Sequence, residues 1–131
     1  MVYFARMVDK IRLRQRGELP EDLVPNLGIA FDAHCCELLG VSYQDLVAKT
    51  EQGLSDAELL EWAAETGGRP SAMTITLWNE ALPKRGWKDG LSAKLEMRKA
   101  ESGMANRADI QVMFDYIDAD EGRELTCGKE P

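Results

Sequence analysis

An all-α fold, a compact single domain of about six to seven short helices, is predicted by this sequence on three observations. Apolar residues recur at the i, i+3, i+4 and i+7 spacing of a helix face in most segments. Serine, aspartate, glycine and proline divide those segments at positions that start and stop helices. No stretch keeps the alternation of a half-buried strand. The domain is expected to run over residues 1–131, with 123–131 as a flexible tail.

Taken in order, Phe4, Met7, Val8 and Ile11 form one stripe of an opening helix that Gly17 stops. The prolines and glycines of GELPEDLVPNLG, residues 17–28, predict a loop holding a short turn. Asp32 is expected to cap a helix over 33–39, which Gly40 ends. Ser42 caps YQDLVAKTEQ with Asp45 three residues on, and Ser55 with Glu58 forms a full capping box closed by Gly67 and Gly68. Ser71 begins AMTITLWNEAL, where Ile75, Trp78 and Leu82 form the expected core stripe before Pro83. After the turn KRGWKDG, a helix with only Leu91 and Leu95 on its apolar side is placed at an edge. The last helix, ADIQVMFDYIDADEG, sets Ile110, Met113, Phe114 and Ile117 on one face.

Size and charge narrow the function. A chain of 131 residues removes about two thirds of its extended surface from water and holds a core without staples. The net charge of −7 repels a phosphate backbone, so nucleic acid is not an expected partner. No apolar run has the roughly 18 residues of a membrane span. Three cysteines cannot all pair within the chain, and no charged start with an apolar core and cleavage site is seen, so a cytoplasmic location is expected. The charge is segregated. Arg6, Lys10, Arg12, Arg14 and Arg16 stand against Asp9 alone, whereas the last helix is rich in acids that offer counter-charge.

FDAHCCELLG, residues 31–40, holds the lone histidine beside two cysteines. Successive helical side chains point about 100° apart, so His34, Cys35 and Cys36 do not converge on one ion, and no metal or cofactor is expected. Cys35 shares the face of Phe31, Leu38 and Leu39 and is assigned to the core, with Cys36 at the periphery. In DYIDADEGRE the register needed for a calcium loop is missing. Trp62 and Trp78 are expected in the core, while Trp87, flanked by Arg85 and Lys88, is placed at a surface turn.

The order of FARMVDKIRL, CCELLGV, DAELLEWA and TLWNE resembles a family of small bacterial proteins known as domain of unknown function 5069. Arg6, Asp9, Lys10, Gly40, Trp62 and Trp78 fall at its landmarks, and the resemblance implies no activity. Members sometimes carry a gluconokinase label, but GRELTCGKE has five residues between its glycines and Glu130 in place of the hydroxyl of a phosphate loop. It is not such a loop.

The leading expectation is a cofactor-free, non-catalytic domain that binds a protein partner or a second copy of itself. Arg6, Lys10, Arg85 and Trp87 are the candidate binding residues. The alternative is a small enzyme using paired carboxylates as acid and base, with Asp9, Asp32, His34, Asp115 and Asp118 as candidates. A thiol redox sensor through Cys35 or Cys36 is the third reading.

Overall fold

Capping chemistry sets the helix boundaries in the structure, a computed structural model that describes residues 1–125. Among those residues are seven α-helices and no strand: α1 (Phe4–Gln15), α2 (Phe31–Leu39), α3 (Tyr43–Thr50), α4 (Asp56–Gly67), α5 (Ala72–Ala81), α6 (Ser92–Glu101) and α7 (Met113–Asp120). Two 3-10 turns, Glu21–Asn26 and Leu82–Lys84, complete the order. Ser42 Oγ accepts from Asp45 N at 3.1 Å and Ser71 Oγ from Thr74 N at 3.1 Å. At α4, Ser55 Oγ accepts from Glu58 N at 3.2 Å while Glu58 Oε2 accepts from Ser55 N at 2.8 Å. Each bond satisfies a donor that the first helical turn leaves without a backbone partner.

The chain divides into two compact units, Met1–Ile75 and Thr76–Pro131, with the division inside α5. In the first unit α3 packs against α1, α2 and α4, and α2 also meets α4. The stripe Phe4, Met7, Val8 and Ile11 is buried, together with Phe31, Cys35, Leu39, Leu46, Leu59 and Ala63. Full burial of a large apolar side chain contributes roughly 1.5 to 3 kcal/mol, so this stripe is what holds α1 in place. In the second unit α6 and the 3-10 turn Leu82–Lys84 pack against α7, and Met113 N donates to Arg85 O at 2.8 Å. Leu82, Leu95, Ile110 and Val112 are its buried apolar residues. Lys99 is buried with them, its Nζ donating to Ile110 O at 3.1 Å.

Several expectations are corrected. Asp32 does not cap α2; it lies in the first turn, after Ala30 at the N-cap position, and turns its carboxylate inward. Cys36 is not peripheral. It is 4% exposed, with Sγ 3.9 Å from Met7 Sδ, because α1 covers the second side of α2. Trp62 and Trp78 are only half-buried, and the core is filled by smaller side chains. The last helix starts at Met113, so Ile110 is buried ahead of it, while Met113, Phe114 and Ile117 are half-buried and Asp115 and Asp118 are buried. Asp115 explains the late start. Its Oδ2 accepts from Gln111 N at 3.0 Å and Val112 N at 3.3 Å, the acidic half of a capping box; valine has no oxygen for the other half. Of the expected tail, Arg123 is bound to Asp118 through Nη2 and Oδ1 at 3.0 Å, and residues 126–131, Cys127 among them, lie outside the described residues.

The ends of α2 and α4 meet backbone to backbone. Gly40, in the left-handed region at φ 72°, ends α2, and a Cβ there would sit 2.6 Å from Gly67 O. A Cβ on Gly67 would collide with Leu39 O. Gly67→Ala is therefore expected to cost about 1 to 3 kcal/mol through overpacking, measured by urea unfolding. A cost below a few tenths of a kcal/mol would mean that the helix ends separate freely.

Candidate functional site

The most concentrated polar chemistry in the first unit is internal. Asp32 is 0% exposed. Its Oδ1 accepts from Tyr3 Oη at 2.6 Å and from Lys10 Nζ at 2.9 Å, and its Oδ2 accepts from Gly28 N at 2.9 Å. Lys10, 8% exposed, also donates to Tyr3 Oη at 3.0 Å. A buried carboxylate and ammonium are tolerated only when paired and hydrogen-bonded, and here both are. Tyr3 takes a left-handed conformation at φ 71°, unfavourable for a side chain with a Cβ, and its ring meets Phe31 edge-on at 5.6 Å. The phenol and ring anchors hold that strain. The sequence reading placed Asp32 and Lys10 among its candidates and missed Tyr3.

This network keeps its neighbours protonated. Burial first, then the charge of Asp32, raises the Tyr3 phenol far above its usual range. Burial, then Cys36 and Asp32, pushes the Cys35 thiol up to about 12, and burial with Asp32 pushes Cys36 up to about 11. Tyr43 is pushed up to about 12 by burial and Asp32. Thiols held this high stay protonated at neutral pH, where the thiolate is the nucleophile.

The remaining candidates are dispersed. Asp9 is exposed and faces Arg12 at 3.2 Å, and Arg12 also reaches Asp56 at 2.7 Å. Thus Lys10 and Arg12 find counter-charge at Asp32 and Asp56, within their own unit. His34 is exposed on α2 and Arg6 is half-buried. Asp118 pairs with Arg123. Among the described residues no three His, Cys, Asp or Glu side chains gather as a metal site. Arg85 Nε binds Asp89 Oδ2 at 3.1 Å, in a turn where Asp89 also accepts from Gly86 N and Leu91 N. Trp87 is 54% exposed there, as the turn sequence predicts, and Lys88 Nζ lies 4.9 Å from its ring centre.

The feature that sequence reading missed is α5. It carries no buried residue: Ile75 and Trp78 are half-buried, whereas Met73 and Leu77 are 66% and 60% exposed. The stripe of Ile75 and Trp78 drew the reading to one face. Met73 and Leu77, at i and i+4 on another, were the available signal. Beside the first turn of α5, within the first unit, lies a cleft of about 350 Å³ lined by Met1, Leu39, Leu60, Ala64, Arg69, Pro70, Ala72 and Ile75. At its edge Arg69 Nη2 donates to Glu61 Oε1 and Oε2 at 3.0 and 2.9 Å.

The family model described as domain of unknown function (DUF5069) matches residues 1–123. The chain belongs to the DUF5069 family. No curated protein and no solved structure matches it. In this chain Lys10 is a partner of the Asp32 network and Gly40 ends α2. Both have architectural work in this DUF5069 chain.

Lys10→Met is expected to lower stability by about 3 to 5 kcal/mol, because it strands the Asp32 carboxylate in the interior. Adding Asp32→Leu should cost less than the sum of the two single changes, and strict additivity in urea unfolding would show that the pair is uncoupled. A second expectation concerns alkaline pH. Cys35 and Cys36 have folded pKa values above the ordinary 9.0, so the protonated native form is favoured. Their contribution is whole below pH 9 and is lost as pH rises through about 11 and 12. Melting temperature should fall over that range, and Cys35 and Cys36 should resist a thiol reagent at pH 8 until the protein unfolds. Rapid labelling of either in the native state would contradict the burial.

Proposed function

We propose that this protein is a non-catalytic docking domain and that its working surface is the bare face of α5. One observation carries the reading: a helix without a charged residue from Ala72 to Asn79 is left with Met73 and Leu77 in water and buries none of its side chains. A helix apolar on more than one face belongs in a core or under a partner, and exposed apolar patches on otherwise charged proteins mark contact surfaces. The partner is a protein presenting an apolar face of its own, in the helix-to-groove manner. Asp32, Cys35 and Cys36 support the reading from the other side, since their hydrogen bonds or burial leave them occupied within the fold. No described helix is long and apolar enough to cross a membrane. The cytoplasm suits a docking domain whose thiols at 35 and 36 are free.

One observation favours the carboxylate-enzyme alternative. Asp115 is 3% exposed and its Oδ1 is without a hydrogen-bond partner. A buried carboxylate oxygen with no donor of its own is what such an enzyme would turn on a substrate, but the other oxygen of Asp115 is committed to capping α7.

A photoreactive phenylalanine analogue at Leu77 should form adducts of one or a few discrete masses in cells of the native host. The same analogue at exposed Lys94 on α6 should not, and Met73→Glu in the Leu77-labelled protein should abolish the adducts. Indistinguishable patterns from Leu77 and Lys94 would sink the docking reading.

A further inference from the structure

We infer that the occupant of this surface is a second copy of the same chain, joined by a two-fold contact in which Met73 of each copy enters the cleft of the other. The inference rests on the docking reading of α5 and names its partner. Met73, the cleft, Glu65 and Arg69 all lie in the first unit, so each copy offers the complete plug, socket and edge.

Three observations make the surface self-complementary. The first is a plug beside a socket. Met73 is 66% exposed on the first turn of α5, and the adjoining cleft of about 350 Å³ is lined by Leu39, Leu60, Ala64, Pro70, Ala72 and Ile75. An unbranched methionine side chain adapts to an irregular apolar gap. In a two-fold contact the same plug and socket occur twice, whereas an unrelated partner would have to supply both shapes.

The second is the edge of the cleft, which has both an unused donor and an unused acceptor. Arg69 commits only Nη2 to Glu61, so the other guanidinium N–H groups remain available. Glu65 lies close enough to raise the pKa of Arg69, after the larger effect of Glu61. It is exposed and takes part in no ion pair or side-chain hydrogen bond among the described residues. A two-fold mate gives both what they lack, Arg69 of one copy meeting Glu65 of the other.

The third is net charge. A chain at −7 repels a copy of itself over most of its surface. Association is therefore confined to a patch that is uncharged or carries both signs; Ala72 to Ile75 has no charged residue, and the Glu65 and Arg69 edge carries both signs.

Sedimentation velocity on the purified full chain tests this. The wild-type chain should show a concentration-dependent dimer, and Met73→Glu should weaken it about tenfold or more by placing an unpaired charge in an apolar socket. Glu65→Arg and Arg69→Glu should each weaken self-association by about tenfold through like-charge contacts. Mixed one to one they should recover the wild-type dimer within about threefold, because every edge contact across the two-fold then again joins an arginine of one copy to a glutamate of the other. All three positions are exposed, and unchanged circular dichroism would show that the fold is kept. If Met73→Glu alters the fold, the two charge variants and their mixture decide the matter alone. A wild-type chain that stays monomeric at about 0.5 mM, or a mixture no tighter than its components, overturns the second-copy inference. If adducts at Leu77 then appear at a mass other than the dimer's, the docking reading stands without it, and if none appear both fail.

Discussion

A carboxylate cut off from water must be ligated entirely from within, and Asp32 meets that requirement with three donors from three places in the chain. Tyr3 precedes α1, Lys10 lies in its middle, and Gly28 belongs to the loop before α2. Holding all three fixes the register of α1 against α2 and the path of the loop between them. Two local features follow. Tyr3 is kept in a left-handed conformation that would otherwise relax, and Gly28 approaches the Tyr43 ring so closely that a Cβ would sit 2.9 Å from it. Removing two charges from water costs several kcal/mol per ion, so the pair adds little net stability when whole. Its role is to exclude other packings, since any arrangement that misplaces one donor leaves a charge unpaired.

The same charge sets the chemistry of the surrounding interior. Cys35, Cys36, Tyr3 and Tyr43 all feel Asp32 in a poorly solvated environment, and each is held in its neutral form. The residues most suggestive of reactivity in the sequence are thus made inert by their surroundings. A cysteine pair beside a histidine looks like a site when read as letters. Folded, the two thiols face the interior and His34 faces water.

Much of the fold was legible because it rests on local rules. The caps at Ser42, Ser55 and Ser71 depend on a hydroxyl and a backbone donor three residues apart, and the stripe from Phe4 to Ile11 depends on helical periodicity alone. The failures share a different cause. Asp32 looked like a cap because aspartate before an apolar run normally is one; a lysine 22 positions earlier in the chain drew it inward. The pattern from Ile110 to Ile117 fitted one continuous helix, but Asp115 capped the helix late and took a buried position. In both places a long-range or reciprocal polar bond outweighed a local preference. The candidate surface was hidden for the opposite reason, since nothing in the chain competes for it. Periodicity marks which residues want burial, not whether the fold supplies a cover.

That distinction gives α5 its meaning. A helix whose apolar residues sit on one face can satisfy them against its own domain and turn its polar face outward. In α5, Ile75 and Trp78 use the cover available and are half-buried, which leaves Met73 and Leu77 on a face that the described chain does not close. Charged side chains are the usual protection for such a surface, and Ala72 to Asn79 has none. The acids and bases instead stand at the edge, at Glu61, Glu65 and Arg69, where they fix orientation without interrupting the apolar contact. An apolar centre with a mixed-charge border is the arrangement of an association surface. Met73 and Leu77 together expose too little area for a stable interface, which needs about 800 Å² from each partner, so the neighbouring cleft and its charged edge have to take part as well.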